Sequence, residues 1–143
     1  MPRNIMCAVD GSHAGEHAAT CAAELAKQIG AKLTFVHVNT VPADRMANAY
    51  FWDETLISAA NGQVNSQFVQ AKDAAGRQEL LNYEFVVVTG SKVAAAIVNY
   101  AKDKGFDHIV MGTGVTSQLE RIFLGSVATD VVSQAHCPVT IVR

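Results

Sequence analysis

Short apolar runs alternate along the chain with longer segments whose apolar positions recur every three to four residues. Ile5-Met6-Cys7-Ala8-Val9 is an unbroken run that ends in Asp10-Gly11-Ser12. Behind it Ala14, Ala18, Cys21 and Leu25 fall on one stripe of a helix, which Ala22 and Ile29 widen. Ser12 reads as the N-cap of that helix and Gly30 as the glycine just past its end. Leu33 to Val38 is a second strand. Residues 39 to about 54 read as a loop containing Pro42 and the aromatic run Tyr50-Phe51-Trp52. A helical stretch then reaches about Leu81, with Val64, Phe68, Ala71 and Ala75 on one face and Gly62 weakening its first turns.

Phe85 to Val88 is a third strand, and Thr89-Gly90-Ser91 turns the chain into a helix with Val93, Ala96, Ile97, Tyr100 and Ala101 inward. Gly105 ends that helix, His108 to Met111 is a fourth strand, and Gly112 to Leu124 a long connection. Ser126 to Ala135 is the last helix, with Val127, Val131 and Ala135 on one side, and Val139 to Val142 the last strand. Strands that are apolar throughout, not at alternate positions, belong to a sheet covered on both faces. With helices between them they predict a doubly wound parallel α/β sheet.

Composition narrows the function classes. The chain has 143 residues, half of them hydrophobic, and reads as one domain over 1–143 that carries its own core. Eleven Lys and Arg against 13 Asp and Glu leave a net charge of −2, with no basic excess to neutralise nucleic-acid phosphates. No run approaches the roughly 20 apolar residues that cross a bilayer, and the opening Met1-Pro2-Arg3-Asn4 lacks the pattern of a signal peptide. Cys7, Cys21 and Cys137 are odd in number and widely spaced, which argues against a disulfide framework and for a reducing cytoplasm.

Two strand ends carry the candidate chemistry. The first closes in Asp10-Gly11-Ser12. The fourth closes in Gly112-Thr113-Gly114-Val115, and its connection ends in Gly125-Ser126 at a helix start. In open α/β sheets ligands lie beyond the carboxyl ends of the strands. Glycines there let backbone N–H groups approach an anion, and a helix N-terminus adds about half a positive charge. Ser126 can cap that helix or bond a phosphate oxygen. Each feature alone is ordinary turn punctuation; together they point to a nucleotide phosphate. It is neither a Walker A loop nor a GxGxxG after the first strand.

Val9-Asp10-Gly11-Ser12, Phe35-Val36-His37-Val38, Ile109-Val110-Met111-Gly112, Leu124-Gly125-Ser126-Val127-Ala128 and Cys137-Pro138-Val139-Thr140-Ile141-Val142 resemble, in order and spacing, the universal stress protein family. That family lies within the adenine-nucleotide alpha-hydrolase-like superfamily. Residues from about 40 to 84 carry little of the likeness. The resemblance implies a three-layer, Rossmann-like fold with a five-stranded parallel sheet of order 3-2-1-4-5 and helices on both faces. In the ATP-binding branch the phosphate loop reads Gly, two residues, Gly, nine residues, Gly, then Ser or Thr. Gly112 and Gly125-Ser126 match it. Val115 stands where the second glycine belongs, and Gly114 serves only with a shift of one residue.

By that matching Asp10 would sit near adenine and ribose, and Val38 would line the adenine. Gly112, Gly125 and Ser126 would hold phosphates, with Ser117 and Arg121 as weaker candidates in the connection, and Gly11, Ser12, Gly114 and Val127 complete the implied nucleotide site. The implied ligand is ATP, with Mg²⁺, or else AMP or a cyclic nucleotide. The implied assembly is a homodimer through Val139 to Val142, signalling to an unidentified protein partner, without nucleic acid or membrane. Slow ATP hydrolysis or self-phosphorylation is the most catalysis the resemblance allows, and no residue here demands it. The rival reading is an interaction or dimerisation protein of the same fold that binds no nucleotide.

Other residues admit a reading of their own. His13 and His17 share a helix face but lack a third metal ligand. His37 and His108 sit at strand ends as ligand contacts or structural side chains. His136 has no apparent chemistry, and Cys137 reads as a small buried hydrophobe before a strand.

Overall fold

A computed structural model describes residues 2–10, 13–42, 53–57, 68–114 and 124–143. In chain order the elements are β1 (Asn4–Ala8), α1 (His13–Ile29), β2 (Lys32–Thr40), β3 (Asp53–Ile57) and α2 (Val69–Arg77). There follow β4 (Tyr83–Gly90), α3 (Val93–Asp103), β5 (His108–Gly112), α4 (Ser126–Gln134) and β6 (Val139–Val142). They build a single sheet of order β3-β4-β2-β1-β5-β6. The five strands β4-β2-β1-β5-β6 are parallel. Counted alone they follow the expected order 3-2-1-4-5.

The unbroken apolar strands serve two cores, because successive side chains of a strand point to opposite faces. Ile5, Cys7, Leu33, Phe35, Phe85 and Val110 join α1 and α2 on one face. Met6, Val36, Val86, Val88, Ile109 and Met111 join α3 and α4 on the other. Helix α1 packs through small residues. Ala18, Ala19, Ala22, Ala23 and Ala26 are wholly buried, while Cys21, Leu25 and Ile29 flank that strip half-buried. The buried face is thus rotated from the expected stripe, since a helix lying close on a sheet presents its smallest side chains. Phe35, Phe68 and Phe85 fill the remaining space: the Phe35 and Phe85 rings stack at 5.6 Å and Phe68 meets Phe85 at 5.1 Å.

The segment between β2 and β4 corrects the sequence reading. Residues 53–57, divided there between loop and helix, form β3, which pairs antiparallel with β4 from Asp53↔Thr89 to Ile57↔Phe85. Asp53-Glu54-Thr55-Leu56-Ile57 has no alternation to announce a strand; pairing with β4 makes it one. The helix is also shorter than expected, running over Val69–Arg77 and ending before Leu81, which is 94% exposed. Phe68, Ala71 and Ala75 are buried as expected. Val64 and the run Tyr50-Phe51-Trp52 lie outside the described residues. Gly30 and Gly105 take φ of 69° and 72° behind α1 and α3, the left-handed turn a glycine allows after a helix.

Candidate functional site

The direction of the chain reverses across β1: the connection from β1 leads to β2 on one side, and β5 lies on the other. Between the ends of these three strands lies a cleft of about 260 Å³. Ala8, Val9 and Asp10 line it from β1, Val36, His37 and Val38 from β2, and Met111, Gly112 and Gly114 from β5. Helices close its sides with Gly15 of α1, Val93 and Ile97 of α3, and Val127 and Ala128 of α4. The wall is therefore aliphatic, and Asp10 brings an exposed carboxylate to it. An apolar hollow with few polar groups suits the flat face of a ring system and the polar edge of its substituent.

Beside the cleft, the end of β5 and the start of α4 form a neck. The Gly125 N–H donates to the Thr113 carbonyl at 2.8 Å, tying the end of β5 to the start of α4. Gly114 has φ of 74°, so the left-handed turn falls there, one residue before the position the family spacing assigns. A Cβ on Gly125 would lie 2.8 Å from the Thr113 oxygen and 3.3 Å from the Gly114 carbonyl, so the two turns touch backbone to backbone. Gly125 is also the N-cap of α4, with φ −65° and ψ 165°. Ser126 is the first helical residue and not the cap. The cap residue must have extended backbone, and Gly125 has it. Thr129 N–H and Thr129 Oγ1 both donate to the Gly125 carbonyl at 3.0 Å.

Of the residues singled out in the sequence, Asp10, Val38, Gly112, Gly114 and Val127 therefore meet at one cleft, with Gly125 and Ser126 immediately beside it. Gly11, Ser12, Val115, Ser117 and Arg121 lie outside the described residues. Val9, Gly15 and Met111 line the cleft without having been singled out. Gly15 carried a signal: a glycine inside a helix costs about 1 kcal/mol against alanine, so its presence asks for a reason.

The remaining candidates separate by position. His37 Nδ1 lies 3.1 Å from the Val9 carbonyl, at the cleft. His108 begins β5 at the far end of the sheet, where its Nε2 and Thr140 Oγ1 are 2.7 Å apart. His136 Nε2 donates to the Phe106 carbonyl at 3.0 Å. His17 is exposed on α1, and the described residues hold no cluster of three metal-ligating side chains.

All three cysteines are free thiols. Burial pushes Cys7 far above the ordinary thiol range, with the neighbouring Cys21 adding to it. Cys21 is raised by burial and then by the Glu24 carboxylate; Cys137 is raised by burial and then by Asp107. The thiolate is the nucleophile, so a raised pKa lowers the reactive fraction at any given pH. Labelling with an aromatic disulfide reagent should leave Cys7 untouched in the native protein. Cys21 and Cys137 should react with pH profiles displaced upward from that of free cysteine. Rapid labelling of Cys7 at neutral pH without denaturant would contradict this assignment.

A family model described as the universal stress protein family matches residues 1–143. The chain belongs to this family. Universal stress protein YxiE of Bacillus subtilis is 31% identical over 150 residues, covering 100% of both chains. Among solved structures, a universal stress protein in complex with cAMP superposes with a TM-score of 0.71 at 24% identity, over 99% of this chain and 97% of that one. The universal stress protein of Archaeoglobus fulgidus in complex with dAMP gives 0.62 at 23% identity, over 99% and 98%. At such identities the superpositions establish the shared fold. The segments by which this universal stress protein resembles its family surround the cleft and the edge strand β6. The segment from about 40 to 84, which carries little of the likeness, supplies β3 and α2, neither of which contributes a residue to the described lining.

Proposed function

We propose that this universal stress protein binds an adenine nucleotide in the cleft beyond β1, β2 and β5 and acts as a regulatory module, not as a metabolic enzyme. The observation that carries this reading is the junction of an aliphatic pocket with the glycine neck of Gly114 and Gly125 at the start of α4. The pocket suits a purine, and the neck leads to a helix N-terminus whose first N–H groups have no partner within the helix and favour anions. Asp10 is placed for ribose hydroxyls, and Gly112, Gly114, Gly125, Ser126 and Val127 for the phosphate side. The structures with cAMP and dAMP support the same ligand class.

ATP with Mg²⁺ is the ligand of the first reading. AMP or a cyclic nucleotide is the second, favoured by two observations. The cleft, at about 260 Å³, is below the roughly 300–1,000 Å³ of most small-ligand pockets. The Gly125 N–H is spent on Thr113 and is not offered to a phosphate.

The physiological unit in this proposal is a cytoplasmic homodimer joined through β6. That strand forms one edge of the sheet with all four residues half-buried, and an edge strand leaves backbone groups for a second copy. Nucleotide occupancy would then set the binding of a protein partner in the stress response.

Calorimetric titration of the wild type and of Val115→Gly with ATP and Mg²⁺, AMP and cAMP tests the reading. Micromolar binding of one of them is the expected result. A strong gain for ATP alone in Val115→Gly would mark Val115 as the obstacle to a triphosphate. Absence of binding of all three at millimolar concentration in both proteins would reject the nucleotide site in favour of an interaction module.

A further inference from the structure

Where helix α1 lies on the sheet, its wholly buried positions are alanines. Ala18, Ala19, Ala22, Ala23 and Ala26 join one core with Ile5 and Cys7 of β1 and Val110 of β5. Gly15 stands three residues before Ala18 and four before Ala19, so it belongs to the same helix face. It is buried as well. A helix that seats five methyl groups against the sheet does not need a glycine in order to approach it. What differs at Gly15 is the surface opposite. β1 ends at Ala8 and α1 begins at His13, so the first turn of the helix stands beside the strand ends, and Gly15 lines the cleft. The Cα–Cβ bonds of a helix tilt toward its N-terminus. A side chain at position 15 would therefore lean toward the strand ends and into the cleft. Alanine would strengthen the helix there and glycine weakens it; the weaker residue keeps that space open.

The two ends of the cleft differ in chemistry. Val36 and Met111 lie on the sheet face that α3 and α4 cover, and Val93 and Ile97 of α3 close that end with aliphatic side chains. Gly112 follows Val110 by two residues and so takes the face that α1 covers. Gly15 and Gly112 thus line the end of the cleft next to α1. A flat base suits the aliphatic end. Glycines suit the end where an anion must come close to backbone.

We propose that Gly15 is a specificity-determining residue: the space left by its missing side chain admits the phosphate carried on the sugar, so that the cleft accepts a nucleotide and not only its nucleoside. The proposal rests on the adenine-nucleotide reading for its ligand, while the open space at position 15 can be tested without ligand.

Thermal unfolding supplies that test. Gly15→Ala is expected to raise Tm by about 2–4 °C, because the new methyl group enters the cleft and the helix gains a better former. Ala18→Gly, one turn further along the same face and outside the lining, is expected to lower Tm by at least as much. Calorimetric titration with AMP, cAMP and adenosine supplies the second readout. Gly15→Ala should bind AMP and cAMP at least tenfold more weakly than the wild type, the cost of an overfilled site, and adenosine within about twofold of it. Ala18→Gly should bind all three within about twofold. A Gly15→Ala protein that is destabilised or does not fold would show that the glycine serves the packing of α1, and would overturn the proposal. So would AMP and cAMP affinities unchanged by Gly15→Ala, or an equal loss for adenosine; both results leave the nucleotide reading standing. A wild type that binds none of AMP, cAMP and ATP at millimolar concentration overturns the nucleotide reading, and the role of Gly15 with it.

Discussion

Gly125→Ala is expected to destabilise the protein by about 1–3 kcal/mol and to weaken nucleotide binding at least tenfold, although it adds a single methyl group. The cause is not backbone strain, since φ −65° and ψ 165° suit any residue. The new Cβ would sit 2.8 Å from the Thr113 oxygen, a distance real side chains do not keep, and the obstacle is backbone that cannot rotate away. Relief requires the turn at Gly114 to separate from the start of α4. That breaks the 2.8 Å bond from Gly125 N–H to Thr113 and moves a residue that lines the cleft. Gly76→Ala is the control. Its Cβ would meet nothing within 4 Å, so the same chemical change in α2 should stabilise by about 0.4–1 kcal/mol. Urea denaturation and calorimetry on both variants decide the matter. Equal stability of the two would mean that the neck has no tight backbone contact.

Phe85→Ala is expected to cost about 3–5 kcal/mol and to lower Tm by on the order of 10–20 °C. Phe85 is fully buried, and its ring meets three others: Phe35 at 5.6 Å, Phe68 at 5.1 Å and Tyr83 at 5.6 Å. Removing it leaves a cavity among rigid rings in the core that the sheet shares with α1 and α2, where neighbours have little freedom to collapse. Against a typical stability of about 5–15 kcal/mol the variant would be marginal. The effect should also reach the cleft, because Phe68 holds the His37 ring. Leu81→Ala, at a side chain 94% exposed, should change stability by less than about 0.5 kcal/mol. Thermal unfolding of both variants checks the contrast. A loss below about 1 kcal/mol for Phe85→Ala would show that this core repacks.

The parts of the site legible in the sequence were those where one residue type announces a backbone need. Asp10 after an apolar run, Gly112 and Gly114 after another, and Gly125 before a helical pattern were all visible, and the strand ends carrying them meet at the cleft. Spacing alone did not say whether the turn after β5 takes positive φ at Gly114, because positive φ belongs to the folded turn; Gly114 has φ of 74°. Ser126 was legible as either a cap or a phosphate contact, and the extended backbone that marks the cap falls on Gly125. His37 was visible only as a histidine at a strand end, equally fit for structure or ligand. Its place depends on the tertiary fold, which brings its Nδ1 to the Val9 carbonyl 28 residues away.

By itself the sequence determined the alternation of strands and helices and the burial of the sheet on both faces. These follow from apolar periodicity, which is local and survives without knowledge of partners. The tertiary structure alone decided that residues 53–57 are a strand, that α1 lies on its alanines, that Gly114 and Gly125 touch, and that the His37 ring meets the Val9 carbonyl. Each of these depends on register and close approach between segments distant in the chain, where a displacement of one residue or of one ångström exchanges one partner for another.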